Sequence, residues 1–330
     1  MINKCLALVT ISLTIIVGAA MVGASPVDLQ SALACAMAND HCEANASGWL
    51  ILSEVRLPRV LMAFVVGGGL ALSGSVLQRI SRNPLADPYL FGIVAGAGLG
   101  AVIGHIVAAW IGLEVAIQLM AFAGALVVTL SVFALMHWQG WQYIERMLLA
   151  GVAMSFLCTA ITSFLLYLQS PHAANRVLFW LMGSLATADW QAVSLIAPLV
   201  LLATLICLAA TRLLDAVQLN DDAVHALGIR LQRLRLMLMA LVALVTAMIV
   251  AFCGGIGFVG LMIPHLVRAM LGNNTMLQIL GCVLIGGSYL VLVDAIARTA
   301  LPYQEVPIGV VTAAIGSIFF IAMMSRGKNG

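Results

Sequence analysis

Charged side chains are scarce in this 330-residue sequence. Asp, Glu, Lys and Arg together occupy 8% of the positions, whereas hydrophobic residues occupy 63%. Soluble domains carry roughly 25% charged residues, so a chain of this composition cannot cover a folded surface that faces water. The net charge is only +2, and without a basic stripe that includes aromatic residues nothing indicates a nucleic-acid-binding protein. The composition indicates a polytopic membrane protein.

The sequence also lacks the motifs of a nucleotide or metal site. No G-x-x-x-x-G-K-[ST] segment occurs, and the G-x-G-x-x-G match at 255–260 has no strand before it, so we interpret its glycines as a sharp turn with close helix packing. The seven cysteines show no metal-ligand spacing. Cys35 and Cys42 share one loop and would form a disulfide if it faced an oxidising compartment; the sequence leaves this open.

Apolar runs of the length that crosses a bilayer recur along the chain. We place about ten transmembrane helices, at residues 5–24, 57–79, 89–110, 114–137, 143–168, 191–211, 234–253, 256–271, 276–297 and 306–325. The eighth run is short and begins with glycines. No soluble domain fits between the runs, so an all-α fold with one transmembrane domain, residues 1–330, is predicted. The first run also has features of a signal peptide, and this alternative stays open.

The distribution of basic residues predicts the orientation in the membrane. With the amino terminus in the cytoplasm, eleven of the fifteen lysines and arginines fall on the cytoplasmic side. The positive-inside rule therefore favours both termini in the cytoplasm. Four arginines fall on the outer side against this bias, namely Arg56, Arg59, Arg176 and Arg298. They require another explanation.

The longest cytoplasmic connection, residues 213–236, carries the signals of one short helix. Its N-cap, first-turn acids, small apolar face and glycine stop are Asn220, Asp221, Asp222, Ala223, Ala226, Leu227 and Gly228. These residue types suit those places because of helix capping and the helix dipole. Such a short helix is marginal in water, so something is expected to hold it. It is either a connector lying on its own membrane domain or a coupling helix that docks into a separate subunit.

Five segments together resemble one family, the permeases of ABC importers for iron chelates and vitamin B12. They are "RLPRVLMAFVVGGGLALSGSVLQRISRNPLADPYLFGI" (56–93), "FWLMGSLATADW" (179–190), "HALGIRLQRLRL" (225–236), "GGIGFVGLMIPHLVRAMLG" (254–272) and "DAIARTALPYQEVPIGVVTAAIG" (294–316). The resemblance implies a vitamin B12 permease-like fold and a homodimer in the bacterial inner membrane. It also implies two cytoplasmic ATPase subunits that bind ATP and magnesium, and a periplasmic binding protein. The chain itself is expected to hold no cofactor or metal and to catalyse no reaction.

The resemblance supplies a role for three of the outer arginines. Arg56, Arg59 and Arg298 are expected to receive acidic side chains from the two lobes of the binding protein. Guanidinium groups pair with carboxylates through two parallel hydrogen bonds, and complementary charge orients a partner and speeds encounter. The alternative for Arg298 is an internal pair with Asp294, one helical turn earlier. The resemblance also supports the coupling-helix interpretation of Asn220–Gly228.

Glycines and weakly polar residues lie on the remaining spans. Gly92, Gly96, Gly100 and Gly104 recur every fourth residue in the third span and predict close helix packing. Gly67–Gly69 and Gly74 in the second span are interpreted in the same way. By resemblance, the residues expected to line the path are Ser155, Thr159, Thr162, Ser163, Arg176, Thr312, Gly316 and Ser317. The alternative is that the hydroxyl groups bond to carbonyls of their own helices.

The cargo is expected to be an anionic iron chelate, because Arg176 places a cation near the entrance of the path. A ferric siderophore or haem fits, and His172 in the same loop is a candidate ligand for haem iron. Cobalamin is the alternative within the same architecture. Two other classes are weaker: an ion-coupled transporter needs acids buried near mid-membrane, and an intramembrane enzyme built on Ser73 or Ser288 lacks a matched base.

Overall fold

The computed structural model describes residues 2–23, 46–112, 115–139, 144–301 and 303–326. All the regular elements in these ranges are helical. The α-helices are α1 (Ile2–Met21), α2 (Ala46–Leu50), α3 (Leu57–Ser81), α4 (Ile93–Ile111), α5 (Val115–Gln139), α6 (Ile144–Tyr167), α7 (Pro171–Leu181), α8 (Trp190–Ala209), α9 (Thr211–Ala216), α10 (Asp221–Ala226), α11 (Leu231–Cys253), α12 (Val259–Leu271), α13 (Thr275–Thr299) and α14 (Ile308–Arg326). A π-helical stretch, Ile51–Arg56, joins α2 to α3, and a 3-10 helix, Pro88–Phe91, precedes α4.

The membrane-spanning character predicted from the apolar runs is confirmed. In the described ranges nine helices are long and apolar enough to cross a membrane, one of them the continuous run Gly48–Ser81. The eighth expected span, 256–271, differs. It forms only the 13-residue helix α12, which at 1.5 Å per residue is about 20 Å long and too short for a hydrocarbon core of about 30 Å. The glycine-rich segment before it is not helical.

Two further segments depart from the sequence prediction. The expected outer loop that contains His172 and Arg176 is mostly helix α7, with Pro171 in its first turn, where a missing N–H has no cost. The third span does not begin at residue 89, because Gly92 adopts φ +78° and separates the 3-10 turn from α4. Gly92 therefore lies outside the helix whose glycine stripe it was expected to share.

Helix α3 lies at the centre of the bundle. In the run Gly48–Ser81, of which it is the main part, 83% of an 18-residue apolar stretch is buried. Its glycines allow the neighbouring backbones to come unusually close. A side chain at Gly67 would collide with the carbonyl group of Gly286 on α13, and one at Gly74 with the carbonyl group of Gly260 on α12. Gly96 and Gly124 make the same kind of contact between α4 and α5. The interpretation of these glycines as packing residues is confirmed.

Three interruptions of helical structure meet at one place. The N–H of Ser184 donates to the carbonyl of Cys253 at 2.9 Å, and the N–H groups of Ile308 and Gly309 donate to the carbonyls of Gly183 and Met182, each at 3.1 Å. The ends of α7 and α11 and the start of α14 thereby satisfy each other's backbone groups, which cannot be left unpaired in a membrane interior. Irregular backbone is therefore stable here.

The segment that joins α11 to α12 is shaped by two residues with positive φ. Gly254 has φ +68° and lies against the carbonyl of Trp180, where no side chain would fit. Phe258 has φ +68° although it is not a glycine, and it occupies the space beside Gly316 on α14. The predicted sharp turn is confirmed, but the left-handed residues are Gly254 and Phe258 and not the glycines of the G-x-G-x-x-G match.

The contact between α3 and α12 gives a stability prediction. Gly74→Ala places a methyl group against the carbonyl of Gly260, and overpacking of this kind costs about 1–3 kcal/mol. Gly18→Ala on α1 is the matched control, because nothing lies within 4 Å of that site. We expect a lower unfolding temperature in detergent for Gly74→Ala only. Equal unfolding temperatures for the two variants would contradict the packing interpretation.

Candidate functional site

Helix α3 carries functional side chains at both of its ends. It begins at Leu57 and ends at Ser81, and its 25 residues span about 37 Å at 1.5 Å per residue. The end of the bundle that contains Arg56, Arg59 and Arg298 is named here the Arg59 face. The opposite end, which carries α10, is named the Asn220 face.

An ion cluster joins α3, α13 and the segment before α14 on the Arg59 face. The Arg59 guanidinium has Nε 3.0 Å from Asp294 Oδ1, and its Nη1 and Nη2 donate to the two oxygens of Glu305 at 2.8 and 2.9 Å. Arg298 Nε lies 3.0 Å from Asp294 Oδ2. The internal pair of Arg298 and Asp294 is therefore present. Glu305, which the sequence interpretation did not single out, completes the cluster.

The end of α1 supplies further acceptors to this cluster. Arg56 Nη1 donates to the carbonyl of Met21 at 3.1 Å. Arg298 donates to the carbonyls of Ala19 and Val22, each at 3.2 Å. The last carbonyls of a helix have no partners within it and carry the negative end of the helix dipole, so they suit guanidinium groups. Helix α1, whose sequence has features of a signal peptide, thus helps to position Arg56 and Arg298.

The structure therefore brings the three predicted docking arginines together, but it holds them within the chain. Arg56, Arg59 and Arg298 are 5%, 8% and 7% exposed. They line a recess of about 340 Å³ that opens on the Arg59 face beside Glu305 and Tyr303. The docking role stays a prediction, and it now requires a partner's carboxylates to compete with acceptors that the chain already provides.

A larger cavity, of about 450 Å³, lies on the other side of Arg59 and is named here the Arg176 cavity. Its lining includes Arg176 and His105, whose Nη2 and Nε2 atoms are 3.1 Å apart, and the rings of Phe179, Trp180 and Phe252. The imidazole must accept this hydrogen bond through an unprotonated Nε2. Among the described residues no carboxylate lies within 4.0 Å of Arg176. Arg59 and Glu305, which pair with each other, also line the cavity, so Arg176 contributes a cation without a carboxylate partner beside aromatic walls.

Most of the residues expected on the path lie elsewhere. Of that set only Arg176 lines the Arg176 cavity; the others lie on α6 and α14, namely Ser155, Thr159, Thr162, Ser163, Thr312, Gly316 and Ser317. Ser155 and Thr312 donate to carbonyls of their own helices, as the alternative predicted. In α6 and in α14 only 17% of an 18-residue apolar stretch is buried. Both helices therefore present wide surfaces to a second protein or to lipid. His172 is exposed on α7, outside the cavity.

The short helix α10 on the Asn220 face forms at the place and with the caps that the sequence predicted. The side chain of Asn220 accepts from the N–H of Ala223 at 3.3 Å. Gly228 has φ +73°, and the N–H of Ile229 donates to the carbonyl of Val224, which is the pattern of a Schellman motif. Val224 is fully buried and anchors the helix, whereas Leu227 is 61% exposed.

Two arginines hold α10 to the long helices. Arg82 donates to Asp221 at 2.7 Å and to the carbonyls of Val217 and Leu219, and Arg235 on α11 lies 3.3 Å from the same oxygen of Asp221. Arg82 follows the last residue of α3 and adopts φ +51°. Sequence analysis assigned Asp221 a role in the helix dipole, but it missed this clamp because nothing local relates residue 82 to residue 221.

A buried carboxyl group organises the neighbouring turn. Asp87 accepts from the N–H of Tyr89 at 2.8 Å, and the Tyr89 hydroxyl donates to the carbonyl of Ile256 and accepts from its N–H, each at 3.0 Å. Burial raises the pKa of Asp87 to about 6, although the bond from Tyr89 opposes the shift. The turn before α4 is thus fixed to the segment that joins α11 to α12.

Comparison with known proteins identifies the family of this chain. Residues 7–326 match the FecCD transport family. The chain belongs to the FecCD transport family. It is therefore the permease of an ABC importer, as the resemblance of its five segments implied, and the ion-coupled transporter and the intramembrane enzyme are set aside.

Individual members of the FecCD family cover most of the chain. It is 36% identical to the hemin transport system permease HmuU of Yersinia pestis over 289 residues, or 86% of each chain. It is also 36% identical to the cobalamin import system permease BtuC of Halobacterium salinarum over 275 residues, which cover 83% of this chain and 73% of the relative.

Solved structures agree with the fold. An inward-facing metal-chelate type ABC transporter matches 99% of this chain and 100% of its own with a TM-score of 0.84 at 30% identity. PsaBC from Streptococcus pneumoniae, solved with a Fab, matches 81% of this chain with a TM-score of 0.60 at 18% identity, which supports the fold alone. The vitamin B12 permease-like fold expected from the resemblance is confirmed.

The buried carboxyl of this FecCD permease gives a pH prediction. Because the pKa of Asp87 is raised on folding, the folded chain retains a proton that the unfolded chain releases. Its contribution to stability is therefore greatest below about pH 4 and is lost as the pH rises through 6. We expect the free energy of unfolding of Asp87→Asn to vary less with pH than that of the wild type, by up to about 3 kcal/mol between pH 4 and 8.

The measurement is the unfolding temperature in detergent between pH 4 and 8. Asp222→Asn removes an exposed carboxylate at the same face and serves as the control. If Asp87→Asn followed the wild-type curve at every pH, a buried, protonatable Asp87 would be ruled out.

Proposed function

We infer that the chain imports an iron chelate that carries negative groups, either a ferric siderophore or haem, across a bacterial inner membrane. It works as a homodimer with both termini in the cytoplasm. Two cytoplasmic ATPase subunits bind ATP and magnesium and drive the cycle, and a periplasmic binding protein delivers the chelate. The permease supplies the gated path and no chemistry.

The observation that carries the cargo class is the Arg176 cavity. Arg176 has an imidazole and no carboxylate as its partner among the described side chains, and Phe179, Trp180 and Phe252 lie around it. Arg176 is exposed to the cavity, and a guanidinium with no carboxylate partner favours an anion, because it forms charge-assisted bonds with carboxylate groups. A chelate with carboxylate groups and a flat or apolar body matches this lining.

Charge on the Arg59 face supports docking of an acidic binding protein. Three guanidinium groups, those of Arg56, Arg59 and Arg298, line the recess that opens to the outside of the bundle. Guanidinium groups pair with the carboxylates of an acidic partner and fix its orientation. The loaded partner docks there, and the path opens towards this face.

The Asn220 face supports docking of the ATPase subunits. Leu227 and Ala226 are exposed at the end of α10, while Asp221 ties the same helix to α3 and α11 through Arg82 and Arg235. A force on α10 therefore reaches two long helices through charged bonds. Closure of the ATPase pair upon ATP moves α10, and the path between the two permeases changes the side on which it is open.

Cobalamin is the second candidate cargo. Several relatives of comparable identity are permeases named for vitamin B12 or cobalamin import, including BtuC of Escherichia coli, which is 35% identical over 283 residues. Nothing in the identities separates them from the hemin permease. The charge of the Arg176 cavity is the observation that favours the anionic chelate.

Uptake by reconstituted transporter tests the cargo. We expect uptake of haem or of an anionic ferric siderophore to fall about tenfold or more in Arg176→Gln, the loss of one charge-assisted bond, and to recover partly in Arg176→Lys. Asn175→Ala, exposed on the same helix but outside the cavity, is the matched control. Cyanocobalamin uptake that exceeds that of both iron chelates, with no effect of Arg176→Gln, would favour the second candidate.

Association with the ATPase subunit tests the role of α10. Leu227 and Leu85 are exposed by 61% and 59% on neighbouring segments, so serine at either site should leave the fold intact. We expect Leu227→Ser to weaken binding of the co-expressed ATPase subunit about tenfold, because one leucine loses its burial, and Leu85→Ser to have less effect. An ATPase affinity unchanged by Leu227→Ser counts against docking through α10.

A further inference from the structure

Arg59 has no free edge with which to bind a partner. A guanidinium pairs with a carboxylate through two parallel bonds either at its Nη1/Nη2 edge or at its Nε/Nη2 edge. In this chain Glu305 occupies the first edge at 2.8 and 2.9 Å. Asp294 occupies the second, with its Oδ1 3.0 Å from Nε and 2.9 Å from Nη2. A docking carboxylate must displace one of them.

Of these two acids only Glu305 is placed to leave. The side chain of Asp294 is 1% exposed and also pairs with Arg298, so its release would leave a buried carboxylate without Arg59. The side chain of Glu305 is 46% exposed and moves from protein to water at little cost. It belongs to the short segment between α13 and α14, and not to a helix.

We propose that Glu305 is a specificity-determining residue, an internal carboxylate that occupies Arg59 until an acidic side chain of a docking protein takes its place. This inference rests on the proposed docking function and deepens it. A partner then binds only if its carboxylate reaches the Nη1/Nη2 edge of Arg59. Surfaces that merely carry diffuse negative charge do not exchange with Glu305, which gives the face selectivity as well as attraction.

The segment that carries Glu305 has further features of an interaction surface. Tyr303 is fully exposed and has φ +65°, a conformation that is strained for an aromatic residue. Exposed tyrosines are frequent anchors of protein interfaces. Three residues after Glu305, the N–H of Ile308 donates to the carbonyl of Gly183 where the helix interruptions meet. Exchange at Arg59 therefore occurs beside the start of α14.

The test uses the full chain in nanodiscs and a fluorescent hexaglutamate peptide as the carboxylate probe, with hexaglutamine to measure background. We expect Glu305→Gln to bind hexaglutamate about fivefold more tightly than the wild type, as expected for loss of a half-exposed competing ion pair. Asp215→Asn removes the same charge at the Asn220 face, where the side chain is 60% exposed, and should leave binding unchanged. Arg59→Gln and Arg56→Gln should each weaken it.

A second variant separates competition by contact from the effect of net charge. Glu305→Asp keeps the charge but shortens the side chain that reaches Arg59, so competition predicts tighter binding of hexaglutamate in this variant also. Equal affinities of the wild type, Glu305→Gln and Glu305→Asp, with loss of binding in the arginine variants, would overturn the inference and leave docking intact. Absence of hexaglutamate binding in the wild type and in both Glu305 variants would overturn both.

Discussion

Close contact between backbones in the middle of the bundle is the constraint on which the rest of the structure depends. Helices in a bilayer gain little from hydrophobic burial against one another, so they associate where small residues let them approach. Gly67 and Gly74 give α3 such contacts with α13 and α12. Because α3 is held in this way, Arg59 at one end and Arg82 beyond the other are fixed relative to each other.

The same physical environment explains where the chain is irregular. Backbone groups outside helices are tolerated in a membrane protein only when other protein groups satisfy them. The ends of α7 and α11 and the start of α14 meet this requirement through mutual hydrogen bonds. Phe258 and Gly316 connect that meeting point to α14 by packing. A transporter needs helices that can move relative to one another, and these interruptions place non-helical backbone beside α14.

The ion pairs among the described residues lie at the two ends of the bundle and are built there by different means. On the Arg59 face the arginines use Asp294, Glu305 and the terminal carbonyls of α1. On the Asn220 face Asp221 is shared by Arg82 and Arg235. Under the proposed function, a carboxylate of the binding protein replaces Glu305 in the first kind of bond. The second kind holds α10, the proposed docking helix, to the ends of α3 and α11.

The sequence by itself determined the all-α membrane fold and the short helix with its caps at Asn220 and Gly228, because hydropathy and helix capping are local signals. Charge bias set the outer arginines apart, and the resemblance of five segments identified the family. Only the tertiary structure decided that α12 is too short to span, that Arg82 clamps Asp221, and that Glu305 and the end of α1 occupy the arginines. Such contacts join residues from 35 to 279 positions apart, and their partners are set by how the helices pack, which no local pattern encodes.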